Sequence, residues 1–182
     1  MMFRSFRPIA GALVLATSLA AIAAADRLID PKSTLSATFT VEKVPVEAPF
    51  HKFSGRIDYD PANPTAAKAS LEVQTASLDI GTPDYNEEVQ AKKWFDVAHF
   101  PKGSFVSTAV LAKGPGKLQA TGNLTLKGKT APVTLLVTVS KAGALTQFDG
   151  AFGISRKAYG IDDAQWNDVL EDNVKVKFRL LQ

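Results

Sequence analysis

Two histidines, His51 and His99, are the chain's whole stock of imidazole, and there is no cysteine. The missing thiols remove thiolate nucleophiles and every cysteine-based metal site. Neither histidine stands at metal-ligand spacing from the other, so no metal is expected. Asp96 and His99 lie three apart with Ser104 nearby, the residue types of a hydrolytic triad. No strand-turn-helix nucleophile elbow accompanies them, and polar loop chemistry accounts for all three. Glu87, Glu88, Asp162, Asp163 and Asp168 have the chemistry for an acid–base pair. Their positions suit solvation of a helix start and of a long loop instead. Gly114-Pro115-Gly116 reads as a turn rather than a phosphate cradle. Catalysis is therefore not expected, and no cofactor is implied.

Arg156 and the aromatic residues invite a different chemistry. If Phe152 and Ile154 point inward on a strand, a period of two turns Arg156 inward as well. A buried guanidinium is costly unless an anion meets it. That partner is either an internal acid, Glu87, Glu88 or Asp162, or the headgroup of a ligand. Trp94, Phe95, Phe100 and Phe105 gather near the only helical segment, while Tyr159 and Trp166 fall in a late loop. Such aromatics either plug the end of a core or frame the mouth of an apolar pocket.

The elements that position these residues are strands. From Leu35 onward apolar and polar residues alternate with period two, as in sheets with one buried face. Leu35, Ala37, Phe39 and Val41 begin the series. Phe53, Gly55, Ile57 and Tyr59 continue it, then Ala67, Ala69, Leu71 and Val73. Phe105, Ala109 and Leu111 alternate more weakly. Leu118, Ala120, Leu124 and Leu126 follow, then Val133, Leu135, Val137 and Val139, then Phe148, Phe152 and Ile154. Val174, Val176, Phe178 and Leu180 close the pattern against Lys175, Lys177 and Arg179. Turn chemistry separates the runs at residues 60–64, 113–116, 127–129 and 141–143, links too short for parallel crossovers. One helix is expected, from Asp84 to Phe95, with acids early and lysines late. Arg156 to Asp172 reads as an irregular connection. A sheet with one apolar face and one short helix cannot be covered from outside, so it closes into a barrel or folds over as a sandwich. Alternation alone leaves both open.

The N-terminus has its own logic. Arg4 and Arg7 precede an apolar run from Ile9 to Ile22, and Ala23-Ala24-Ala25 offers small residues for cleavage. This is the pattern of a secretory signal peptide, residues 1–25, shorter than the ~20 apolar residues of a spanning helix. Cleavage after Ala25 leaves a single domain, residues 26–182. The chain has 21 basic and 18 acidic residues, and losing Arg4 and Arg7 leaves 19 against 18, a formal charge of +1. A nearly neutral chain makes no electrostatic case for nucleic acid or an anionic membrane surface.

Several pieces, in this order, carry a resemblance. They are Ile29-Asp30-Pro31 with Ser33, Phe50 with Phe53-Ser54-Gly55, Ser77-Leu78-Asp79, and Trp94-Phe95-Asp96 with Phe100-Pro101. Gly122-Asn123-Leu124-Thr125-Leu126-Lys127-Gly128 with Pro132-Val133, Arg156 with Tyr159-Gly160-Ile161, and Val174-Lys175-Val176 complete them. From about Leu28 to Leu181 the chain resembles the YceI-like family of bacterial periplasmic proteins. The resemblance implies an all-β fold: an extended, lipocalin-like antiparallel β-barrel of about eight strands with one short helix. It also implies an elongated cavity for a polyisoprenoid chain, such as a polyprenyl phosphate or a quinone tail. The expected ligand-binding residues are Phe39, Phe53, Leu71, Trp94, Phe95, Phe100, Phe105, Leu124, Leu135, Phe148, Phe152, Arg156, Tyr159 and Trp166. Two departures stand out. Ala48-Pro49 replaces a glycine common in relatives, and Asn86-Glu87 replaces an Arg-Asp leading into the helix.

Three readings follow. The first is a periplasmic carrier or sequestering protein for an isoprenoid lipid, making transient contact with inner-membrane proteins. The second is an enzyme acting on such a lipid, and the third a protein-binding accessory of a membrane or redox system.

Overall fold

The computed structural model describes residues 28–182. The expected signal segment and its cleavage point lie outside the described residues. Nine strands form one antiparallel sheet: β1 (Thr34–Val41), β2 (Val44–Pro49), β3 (Phe53–Asp58), β4 (Lys68–Gln74), β5 (Lys102–Ala112), β6 (Lys117–Leu126), β7 (Lys129–Ala142), β8 (Leu145–Ser155) and β9 (Asn173–Leu181). One α-helix, α1 (Pro83–Glu88), interrupts the series. The strand order is β2-β1-β9-β8-β7-β6-β5-β4-β3. From β4 to β9 the sheet is the meander that the short links require.

This order decides between barrel and sandwich. β2 and β3 are the two edges of the sheet, yet only residues 50–52 separate them in the chain. Three residues span at most ~11 Å, so nine strands must curl until the edges nearly meet. No regular ladder joins β2 to β3, and irregular segments stitch the seam instead. Phe50 forms a bridge with Leu78, and Leu28 forms one with Arg56. The amide of Ile29 donates to the Gly55 carbonyl at 3.0 Å, and that of Asp30 to the Leu181 carbonyl at 2.7 Å. A curled sheet turns one face inward along its whole length. The inward rows are the alternating apolar residues, and Lys175, Lys177 and Arg179 face solvent.

Three elements differ from the expectation. β2 is a ninth strand, hidden in sequence by Pro45 and Pro49; proline is tolerated there because β2 is an edge. On β5 the register shifts between Ser107 and Ala109. One extra residue, Thr108, reverses the faces beyond it. Val110 is therefore buried, whereas Leu111 is exposed and Ala109 faces out with it. The helix ends at Glu88 rather than Phe95, and residues 89–95 continue as turns in which the Phe95 amide reaches back to the Val89 carbonyl. Helices of so few residues gain little from propensity alone. Thr82 caps this one by accepting from the Tyr85 amide, and Pro83 opens it.

Two tight hairpins set the register on either side. Glu42-Lys43 (φ 49° and 67°) and Lys127-Gly128 (φ 46° and 72°) both place two successive residues in the left-handed region. That is the turn whose twist matches adjoining antiparallel strands.

Candidate functional site

The inward faces enclose an apolar cavity of about 480 Å³. Its wall is built from register. Leu71 on β4 pairs with Phe105 on β5, which pairs with Leu124 on β6, giving one continuous apolar row. Gly122 sits beside that row because a β-carbon there would lie 2.5 Å from the Phe105 ring. The glycine makes room for the aromatic side chain that forms the wall. Phe148 and Ile154, six residues apart on β8, both line the cavity, which therefore runs ~20 Å along the strands. That exceeds half of the ~30 Å hydrocarbon core of a bilayer.

The two ends differ. At one, Tyr59 meets Phe148 edge-on, ring centroids 5.3 Å apart. At the other, Trp94 and Trp166 meet at 6.5 Å, between the α1 region and the loop from 156 to 172. Trp94 is buried, and its indole Nε1 donates to Glu88 Oε1 at 3.0 Å. Lys93 Nζ bridges to Asp163 Oδ2 at 3.0 Å, and the Asp162 amide donates to the Lys93 carbonyl. These contacts join the two irregular segments over one end of the barrel.

Asn86 anchors α1 to the sheet. Its side-chain oxygen accepts from the Ile80 amide at 2.6 Å, and its Nδ2 donates to Asp79 Oδ1 at 3.0 Å. The Asn86 bond, then the Gly81 amide, then His51 hold the Asp79 carboxyl down to about 2. A depressed carboxyl stabilises the fold fully above its unfolded value of 3.8, and that contribution disappears as pH falls through about 2. A carbon-13 titration is expected to give Asp79 a midpoint near 2. In Asn86→Ala the midpoint should move toward the ordinary range, with earlier acid loosening of α1; an unmoved midpoint would show that Asn86 is not the main cause.

Of the expected ligand-binding residues, Phe39, Phe53, Leu71, Trp94, Phe95, Phe105, Leu124, Leu135, Phe148, Phe152, Arg156 and Trp166 line this one cavity. Phe100 and Tyr159 do not. Phe100 packs over Gly128 at the outside of the β6–β7 turn. Tyr159 is a buried core residue in the short 3₁₀ turn after Arg156, and burial pushes its phenol pKa up. Val46, Phe50, Leu78 and Ile80 on the β2 side, and Ile161 and Leu170 in the late loop, line the cavity without having been expected there. Val46 escaped because prolines masked the alternation of β2, the others because irregular backbone between strands has no period.

Arg156 contributes to the wall, but its guanidinium is fully engaged within the protein. Nε donates to the Glu171 carbonyl at 3.1 Å. Nη1 donates to the Ile161 carbonyl at 3.1 Å and to Asp162 Oδ1 at 2.9 Å. Nη2 donates to Asn167 Oδ1 at 3.2 Å and to the Leu170 carbonyl at 3.0 Å. All five donors of the fork have acceptors. The internal-acid alternative therefore holds, with Asp162 as the partner, and no donor is left over for a headgroup. His99 Nδ1 pairs with Asp96 Oδ1 at 2.8 Å, and neither lines the cavity. Among the described residues no group of three or more His, Asp or Glu side chains could hold a metal ion, and no helix is long and apolar enough to cross a membrane.

The family model described as the YceI-like domain matches residues 28–181. The chain belongs to the YceI-like family. A UPF0312 protein of Shewanella sp. strain ANA-3 is 34% identical to this YceI-like chain over 151 residues, covering 78% of the chain and 79% of that protein. A UPF0312 protein of Vibrio cholerae is 32% identical over 148 residues, covering 76% and 78%. Among solved structures, Burkholderia cenocepacia BcnA superposes with a TM-score of 0.81 at 39% identity, covering 85% of this chain and all but 1% of that one. A polyisoprenoid binding domain from Saccharophagus degradans, 19% identical, has a TM-score of 0.68 and covers 85% and 95%. At that identity it shows a shared fold.

Proposed function

We propose that this YceI-like protein binds an isoprenoid lipid, polyprenyl phosphate or quinone-type, within the barrel, and carries or sequesters it in the periplasm. The observation that carries the reading is the ~20 Å cavity, whose wall is apolar on nearly every strand. A flexible, methyl-bearing chain gains roughly 25 cal/mol for each Å² of apolar surface it buries there. Ordering and association costs offset part of that gain. The Saccharophagus degradans domain of the same fold, named for polyisoprenoid binding, supports the ligand class. The basic start, apolar run and small-residue exit at Ala23–Ala25 support export. Binding needs no acid–base pair, and the imidazole–carboxylate pairs among the described residues, His51–Asp79 and His99–Asp96, lie outside the wall.

Protein purified from a bacterial extract is expected to release an organic-extractable lipid, with native mass spectrometry showing the complex. Lipid-free protein that also takes up no added prenyl lipid would overturn the reading.

A further inference from the structure

We propose that the outer groove between β5 and the 3₁₀ turn Pro64–Ala66 is a second apolar subsite, holding the tail of a prenyl chain too long for the barrel. This assignment deepens the lipid-binding reading and rests on it.

The barrel has a limited length. Its cavity opens beside α1, where Tyr85 lines it and is 52% exposed. At the far end Tyr59, just past β3, meets Phe148 of β8. Those strands are not neighbours in the sheet, so the contact crosses the barrel and blocks the way out along its axis. Carbon–carbon bonds of ~1.5 Å advance a chain by ~5 Å per isoprene unit, so the ~20 Å between holds about four extended units.

The wall has a break beside that blocked end. The β4–β5 ladder stops at Ser70–Val106, although β5 runs on to Ala112 against β6. The next link is a side-chain bond, from the Ala69 amide to Ser107 Oγ at 2.8 Å. Past it the Pro64–Ala66 turn lies against β5 in place of a strand. Its amides bond within the turn, Ala66 to the Asn63 carbonyl and Ala67 to that of Pro64.

A groove on the outside of an intact sheet meets outward side chains. This one also reaches Ala67, Ala69, Ser107 and Val110, which line the cavity from within. Groove and cavity therefore meet at the break. The groove suits hydrocarbon, with Val106 53% exposed in it. Its Arg56 bridges to Asp58 at 3.2 Å, and Thr108 Oγ1 donates to the Thr121 carbonyl at 3.2 Å. A tail lying there leaves these groups paired and gains apolar contact.

The test compares geranylgeraniol, with four units, and hexaprenol, with six, on the full-length mature protein. The chain has no cysteine, so Ala109→Cys takes a bulky maleimide at one exposed position in the groove. Leu136→Cys carries the same label on the outer face, away from the groove. Unlabelled protein is expected to bind hexaprenol about tenfold more tightly or better, because ten further carbons partly leave water. The Ala109 label should cut that advantage to about threefold or less, with geranylgeraniol unaffected, and the Leu136 label should change neither. The longer alcohol's poor solubility is common to all three proteins and cancels. An advantage that survives the Ala109 label places the extra units inside the barrel. No advantage in unlabelled protein leaves the groove unused. An equal loss of geranylgeraniol, or the same loss with the Leu136 label, makes the effect a general one. Each of these overturns the subsite while the lipid reading stands. Failure of both alcohols to bind overturns both.

Discussion

Replacing Arg156 by Met is expected to destabilise the protein by about 3–5 kcal/mol, because buried carbonyls that the guanidinium satisfies are left unpaired at about 1–3 kcal/mol each, while the part-exposed Asp162 carboxylate turns to water. Arg156 is 2% exposed, and Met matches its aliphatic stem. What Met cannot supply is the fork. The carbonyls of Ile161, Leu170 and Glu171 and the side-chain oxygens of Asp162 and Asn167 would all lose their donor. These acceptors span residues 161–171, so one side chain holds an entire irregular loop against the barrel. At roughly 2–4 °C per kcal/mol for a domain of this size, the melting temperature should fall by about 6–20 °C. Amide exchange should accelerate first between Ile161 and Glu171. Arg156→Lys should fall between, because an ammonium keeps the charge but not the planar geometry. Retained stability with lost lipid affinity would instead return Arg156 to the headgroup role.

Much of the cavity was legible in the chain because the physics of a curled sheet is the physics of alternation. Leu35, Ala37, Phe39 and Val41, or Val174, Val176, Phe178 and Leu180, needed only a period of two to be placed on one wall, and they line it. Alternation fails wherever the backbone departs from the ladder. Thr108 shifts register by one residue, turning Leu111 out and Val110 in, and no residue type there signals a bulge. Arg156 was predicted inward by the same parity, correctly. Its five acceptors come from a loop whose path is not periodic, so their convergence could not be read. Phe100 and Tyr159 show the matching error: an aromatic near a strand end packs outside the wall or inside it according to the turn, not its type.

The largest effect on ligand affinity is expected from filling the middle of the cavity. Ala120 on β6 faces inward between Val110 of β5 and Leu135 of β7, and all three line the wall. Ala120→Phe directs a ring across the passage. The ring gains apolar burial of about 1.5–3 kcal/mol. That offsets an overpacking strain of typically 1–3 kcal/mol, so stability should change little. The ligand has no such compensation. Each methylene kept out forfeits about 0.8 kcal/mol, so excluding one five-carbon unit costs about 4 kcal/mol, close to a thousandfold in Kd. Leu136 is the control: it neighbours Leu135 but is 66% exposed on the outer face. Leu136→Phe adds the same ring where no chain passes, and affinity should hold. Calorimetric titration with a long-chain prenyl alcohol separates the two. If Ala120→Phe binds it as the natural protein does, the hydrocarbon does not run through the barrel, whatever else the protein holds.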